Sequence, residues 1–197
     1  MTEDWSKLAD FILDLPEKKE KKEIKKEQCP VCYLHFSDLN EHKSKHMSKI
    51  TENLYIGNSN NAEDIYELNY YDINVIINTA QEHCRIAYQY DKLEKYVKYY
   101  ILDTDDFPID KYFNETSDLI NFYIKQKKNV LVHCIMGRSR SVSIVLAYLI
   151  KYYEDSEYKK MTFEEGLKLI KLNRSIACPN NGFIEQLKNY SSKLSTL

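Results

Sequence analysis

Cys134 and Arg140 lie in the run HCIMGRSRS with five residues between them, Gly137 midway, and Ser139 and Ser141 flanking the arginine. A cysteine thiolate is a strong nucleophile, and a guanidinium presents a planar fork that holds two phosphate oxygens at once. Before the run comes an apolar segment, Val130-Leu131-Val132, and after it an apolar stretch through Ile150 too continuous for a surface helix. That pattern predicts a buried strand, a tight loop at Gly137 and a buried helix. A loop entering a helix N-terminus turns its N–H groups inward, and the helix dipole favours an anion there. The same field, with Arg140 nearby, draws a thiol pKa from about 8.5 into the range of roughly 3.5 to 7.5. The chemistry implied is attack by Cys134 on phosphorus. A buried structural cysteine is the plain alternative for Cys134 taken alone; Gly137 and Arg140 at these offsets weigh against it.

Displacement at phosphorus also needs an acid to protonate the departing oxygen. The segment ILDTDDFPID offers Asp103, Asp105, Asp106 and Asp110 just after an apolar run. Any one of them serves equally well as a turn or helix-cap residue when judged alone.

A second constellation, in CPVCYLHFSDLNEHKSKH, sets Cys29 and Cys32 as C-x2-C and His42 and His46 as H-x3-H. Two thiolates on a tight turn and two imidazoles one helical turn apart can converge on a tetrahedral zinc ion. Four protein ligands leave no open coordination position, so such a zinc is structural. Phe36 and Leu39 supply a miniature core, and His35 competes as a ligand. The segment resembles a Cys2His2 finger, and its CPVC opening resembles small ubiquitin-binding zinc modules. Its central spacing is shorter than the usual finger's spacing of about twelve. An exposed redox pair or unliganded cysteines are the alternative.

The elements that must position these groups follow from periodicity. Strands are predicted at Leu54–Ile56, Val75–Ile77 and Tyr99–Leu102 ahead of the Val130 strand, alternating with helical stretches, which argues for an α/β layered domain. Residues 110–127 read as an amphipathic helix carrying Phe113, Leu119, Ile120 and Tyr123. Thr162 and Glu165 form a capping-box signature for another, with Phe163, Leu167 and Ile170 inward. Near the N-terminus, Trp5, Leu8, Ile12 and Leu15 have helical spacing that Pro16 ends, giving a helix for docking on its own domain or on a partner. EKKEKKEIKKE mixes signs too evenly for a nucleic-acid arm and reads as a solvated helix or tether.

With 197 residues, 43% of them hydrophobic, and a net charge of −2, the chain has room for one well-buried domain and a small appendage. A net charge of that size excludes a strongly basic nucleic-acid binder. No apolar run approaches the roughly 20 residues of a membrane span, and no secretory signal opens the chain. Five cysteines, an odd number, fit a reducing cytoplasmic or nuclear setting.

HCIMGRSRS matches the H-C-x-x-G-x-S-R-S signature of the dual-specificity protein phosphatases, a branch of the cysteine-dependent protein tyrosine phosphatases. ITENLYIGN, VIINTA and NRSIACPNNGFIEQL resemble that family's first strand, next core strand and closing segment. The resemblance divides the chain into a helix and charged linker (1–28), the zinc-like module (29–47) and a catalytic domain (48–197). It implies a three-layer α/β fold around a mixed central sheet, protein tyrosine phosphatase-like, with the small zinc-finger-like appendage. It further implies a phosphocysteine cycle needing no catalytic metal or cofactor. In that cycle Cys134 is the nucleophile and Arg140 the phosphate clamp. Asp103 is the acid, with Asp105 and Asp106 its rivals, and Ser141 assists departure of the sulfur. His133 holds the thiolate's surroundings unless it is only a core histidine. Ile135, Met136, Gly137, Arg138, Ser139 and Arg140 bind substrate. Arg138 as the single basic residue at the variable positions points to a phosphorylated protein substrate; RNA 5′ ends, phosphoinositides or an adaptor role binding phosphoprotein or ubiquitin are the alternatives. Arg174 caps a helix or binds a second phosphate. Cys84 and Cys178 are expected to be isolated buried cysteines, with disulfide formation to Cys134 the alternative.

Overall fold

Strand residues of the central sheet alternate between two cores, which fixes how the layers stack. In a computed structural model the described residues are 27–36, 42, 45–80, 90–153 and 160–195. Strands β3 (Ser48–Thr51), β4 (Leu54–Gly57), β5 (Ile73–Asn78), β6 (Lys95–Lys98) and β7 (Asn129–His133) form one sheet in the order β3-β4-β7-β5-β6. The β3–β4 hairpin is antiparallel and the remaining pairs are parallel, so the sheet is mixed. Successive strand side chains point to opposite faces. Leu54, Ile56, Val75, Ile77, Val130 and Val132 accordingly enter one apolar cluster, while Tyr55, Ile76 and Leu131 enter the other.

Helices α1 (Ser59–Glu63) and α2 (Ile65–Tyr70) belong to the smaller layer. On the larger side pack α3 (Phe113–Lys125), α4 (Arg140–Tyr152), α5 (Phe163–Asn173) and α6 (Asn181–Ser195). This is the three-layer α/β arrangement expected. Every residue of α4 from Arg140 to Ile150 is buried, and each fully buried Val, Leu or Ile side chain contributes roughly 1.5–3 kcal/mol. Strand β7 and helix α4 are thus the most firmly held parts of the fold, and the loop between them is carried at both ends by the core.

The Thr162–Glu165 capping box opens α5 as expected. The predicted helix over 110–127 begins instead as a 3-10 turn at Ile109–Tyr112 and becomes α-helical from Phe113. The expected strand at Tyr99–Leu102 is corrected: the strand is Lys95–Lys98, paired with Val75–Asn78. Tyr99 N–H makes the last tie, 2.8 Å to the Asn78 carbonyl. Beyond it β5 has ended and offers no further partner, so the burial of Tyr99 and Ile101 reflects packing into the larger core, not pairing.

A second, two-stranded sheet pairs β1 (Glu27–Gln28) with β2 (His35–Phe36). The expected N-terminal helix and linker core, Leu39, Cys84 and the side chains of His35 and Phe36 lie outside the described residues. Among the described residues no helix is long and apolar enough to cross a membrane.

Candidate active site

Cys134 follows directly on β7 and is 1% exposed. Its loop turns through Gly137 at φ +63°, a left-handed conformation that glycine adopts at little cost. A Cβ there would also sit 2.4 Å from the Gly57 carbonyl oxygen and 2.5 Å from Arg174 Nη2, so no side chain fits. The tight turn brings the Gly137 N–H to 3.2 Å from Cys134 Sγ, where it donates, and sets Ser141 Oγ at 3.3 Å from the same sulfur. The loop then enters α4 at Ser139, whose side chain makes no capping hydrogen bond. The first N–H groups of this long helix are therefore not taken by its N-cap side chain, as an anion site requires.

The Ser139 hydroxyl is used elsewhere. It donates to Asp103 Oδ1 at 2.6 Å and accepts from the Asn180 N–H at 3.2 Å. Asn180 Nδ2 donates to the same Asp103 oxygen at 3.0 Å, while Asn180 Oδ1 accepts the Phe183 N–H at the start of α6. Asp103 Oδ2 faces Arg140 Nε at 3.5 Å. Arg140 is buried and donates from Nη1 to the Ile101 carbonyl at 3.3 Å, just upstream of the aspartate. Asp103 and Ser139 line one cleft with Met136, Arg138 and Asp105; Arg140, facing Asp103, and Cys134, earlier in the same loop, are both buried. Asp105 Oδ1 accepts from the Gly182 N–H at 3.5 Å, and Asp106 is exposed.

Of the other expected site residues, Met136 is 61% exposed, Arg138 is exposed and Ile135 half-buried. Met136 and Arg138 rim the cleft; the Ile135 carbonyl accepts from the Ser59 N–H at 3.1 Å. His133 is 1% exposed, and neither ring nitrogen has a hydrogen-bond partner of good geometry among the described residues. Burial pushes its pKa down to about 4, against a weaker pull from the Cys134 backbone, so the ring is neutral above that range. Cys178 is exposed, not buried as expected, because its N–H binds the Arg138 carbonyl at 2.8 Å and holds it on the cleft wall.

Arg174 is neither a surface cap nor a phosphate hook. It is 1% exposed and lies under the loop, donating from Nε to the Gly137 carbonyl at 2.7 Å. Burial lowers its pKa, opposed by the Cys134 and Glu67 charges. Asn180 was passed over at the sequence level although PNNGF, an Asn before a helix-opening turn, is a capping pattern. Nothing local to Asn180 or Arg174 points to the cysteine loop.

Cys29, Cys32, His42 and His46 are also brought together, their ligand atoms all within 4.8 Å of one another. Cys29 Sγ is 3.6 Å from His46 Nε2, and Cys32 Sγ is 3.5 Å from His42 Nε2. Tyr33, at φ +58°, closes the turn that directs both sulfurs to one side, and the Val31 N–H donates to Cys29 Sγ at 3.4 Å.

The family model described as the dual specificity phosphatase catalytic domain matches residues 54–193. The chain is 35% identical over 147 residues to dual specificity protein phosphatase 1 of Arabidopsis thaliana, covering 75% of this chain and 70% of that protein. It is likewise 35% identical over 147 residues to dual specificity protein phosphatase 21 of Homo sapiens, covering 75% and 73%. Its fold is similar to the crystal structure of DUSP15, with a TM-score of 0.67, 31% identity, and coverage of 77% of this chain and 94% of that one. Since the matched span holds the β7 strand, the cysteine loop, Asp103 and the closing helix, the chain belongs to the dual specificity phosphatase family.

Proposed function

We propose that this protein phosphatase hydrolyses phosphotyrosine and phosphoserine or phosphothreonine in proteins through a phosphocysteine intermediate. The observation that carries the reading is the single loop in which Gly137 N–H and Ser141 Oγ meet the Cys134 sulfur and Arg140 faces Asp103. The phosphoryl oxygens rest on the loop N–H groups from Ile135 to Arg140 and on the Arg140 fork. Cys134 sulfur attacks phosphorus in line, the P–S bond forming as the bond to the leaving oxygen breaks. Asp103 gives its proton to that oxygen. Ser139 and Asn180 hold its carboxyl group at Oδ1, and Oδ2 faces Arg140. Water then attacks phosphorus, Asp103 accepts its proton, and the thiolate leaves with Ser141 donating to it. Neutral His133 fills the space behind the nucleophile.

Exposed Met136 and Arg138, the single cation at the rim among the described residues, favour a protein chain over the more highly charged phosphoinositides and RNA 5′ ends. Phosphate release is measured from matched phosphotyrosine and phosphothreonine peptides, a phosphoinositide and triphosphate-ended RNA. Wild type is expected to cleave both peptides and Cys134→Ser none of the four substrates. Release from lipid or RNA alone would keep the mechanism and overturn the substrate class.

The upstream cluster is read as a structural zinc site held by Cys29, Cys32, His42 and His46. A tetrahedral zinc with bonds of about 2.3 Å to sulfur and about 2.05 Å to nitrogen has sulfur–nitrogen edges of about 3.6 Å; two of the sulfur–nitrogen distances, 3.5 and 3.6 Å, match this, in a set that lies within 4.8 Å. Metal analysis of the full chain is expected to find one zinc per chain, lost in Cys32→Ser.

A further inference from the structure

Arg174 joins two parts of the chain that are far apart in sequence. While Nε donates to the Gly137 carbonyl, Nη1 donates to the His46 carbonyl at 3.1 Å and to Ser48 Oγ at 3.2 Å. His46 belongs to the Cys/His cluster, and its imidazole is held from the other side. Nε2 faces Cys29 Sγ, and Nδ1 lies 3.3 Å from Glu67 Oε1. Glu67, on α2, is 2% exposed; it also accepts the Met47 N–H and, at 2.9 Å, Asn61 Nδ2. Asn61 in turn closes the capping box with Asn58 that begins α1, where the Ser59 N–H reaches the Ile135 carbonyl. Two routes therefore start at His46: hydrogen bonds run from its carbonyl through Arg174, while its imidazole faces Glu67, from which hydrogen bonds run on through Asn61. One ends on Gly137 and the other on Ile135, both in the loop that carries Cys134.

A carboxylate behind a metal-bound imidazole orients the ring and strengthens the ligand. Here that carboxylate comes from the catalytic domain, not from the small module. The arrangement also constrains Arg174: its buried Nη2 already has no hydrogen-bond partner among the described residues, and losing the His46 carbonyl would take a further acceptor from the guanidinium, an unfavourable change. Displacing His46 therefore displaces the group that holds Gly137, whose N–H meets the sulfur.

We propose that zinc at Cys29, Cys32, His42 and His46 clamps the catalytic loop through His46, Arg174 and Glu67, so that metal and a phosphate-like oxyanion bind cooperatively. The proposal rests on the zinc reading given above. Cooperativity in binding is reciprocal, so each ligand must tighten the other by the same factor. The test uses the full chain. Zinc affinity is measured by competition with a fluorescent zinc indicator, with and without saturating inorganic tungstate, a tetrahedral oxyanion. Tungstate affinity is measured on zinc-loaded and zinc-stripped protein. The expected factor is about fivefold to tenfold in both directions. One zinc bound per chain with no effect in either direction would overturn the clamp and leave the zinc site standing. No zinc bound would overturn both. Arg174→Lys keeps a positive charge but loses the fork; it is expected to bind one zinc with the coupling abolished. Glu67→Gln is expected to weaken zinc binding about tenfold. Cys32→Ser, which lacks a ligand, should bind tungstate as the stripped wild type does. If it binds tungstate as the loaded protein does, the clamp fails. The wild-type titrations decide the matter even if a variant does not fold.

Discussion

At the scale of single residues, Asp103 differs from its neighbours by what anchors it. Three aspartates follow within seven positions, yet only Asp103 has one oxygen bound by Ser139 and Asn180 and the other turned to Arg140. An acid that protonates the leaving oxygen matters most where that oxygen is a poor leaving group. Asp103→Asn is therefore expected to slow hydrolysis of an alkyl phosphate or phosphothreonine peptide about 100-fold or more, and that of an activated aryl phosphate far less. Equal losses on both would remove Asp103 from the acid's role. His133 carries a different expectation. Its pKa is pushed down to about 4 by burial, whereas an unfolded histidine titrates near 6.5. Between these values the unfolded chain binds the extra proton, so stability is full above pH 6.5 and falls as the pH drops toward 4. Passing from pH 7 to pH 5 should remove about 2 kcal/mol through this residue. Urea unfolding at the two pH values, compared with that of His133→Asn, measures the share directly; an unchanged pH dependence in the variant would show that the ring does not titrate on unfolding.

At the scale of elements, the site is made where two loops close on the start of α4 and the start of α6. The closure is tight: a Cβ on Gly182 would lie 1.8 Å from the Asp105 carbonyl oxygen, and backbone cannot yield as a flexible side chain can. Gly182→Ala is expected to push the 103–106 loop outward, costing about 1–3 kcal/mol of stability and weakening the Asp103 contacts. Its activity loss should grow with the pKa of the leaving group, as for Asp103→Asn. Gly166→Ala, whose Cβ would meet side chains alone, the Leu146 tip at 2.5 Å and Met161 at 3.4 Å, should cost stability without that dependence. If both variants lose activity uniformly, loop closure does not set the acid. These contacts also mark what the chain's order reveals. The Cys134–Arg140 loop and its strand and helix could be read directly, because they are contiguous and the apolar runs on either side are long. Asp103 was reachable through its place after a strand end, although the strand itself lay four residues earlier than the apolar pattern suggested. The Ser139–Asn180 bridge and the inward turn of Arg174 could not be read, since each depends on segments 35 or more residues apart meeting in space; alone, a serine at a helix start and an arginine at a helix end each look like caps.

At the scale of the whole molecule, a boundary between residues 47 and 48 divides the sequence sensibly but cuts through shared hydrogen bonds. Glu67 would lose the Met47 N–H and the facing His46 imidazole, and Arg174 would lose the His46 carbonyl. Both side chains are almost wholly buried, and a buried charged group deprived of a partner destabilises far more than an exposed one. Removing residues 1–47 is therefore expected to lower stability by about 3 kcal/mol, which for a domain of this size is a fall of roughly 10 °C in the melting temperature. A tethered appendage that only selects partners would leave melting unchanged. A double-mutant cycle separates shared bonds from general loss of packing. In the full chain Glu67→Gln removes the charge opposite His46 and should cost about 1–2 kcal/mol. In the truncated chain that charge has lost its partner, so the same substitution should be neutral or stabilising. Equal costs in the two backgrounds would mean that Glu67 does not couple the module to the domain, whatever the truncation does to the melting temperature.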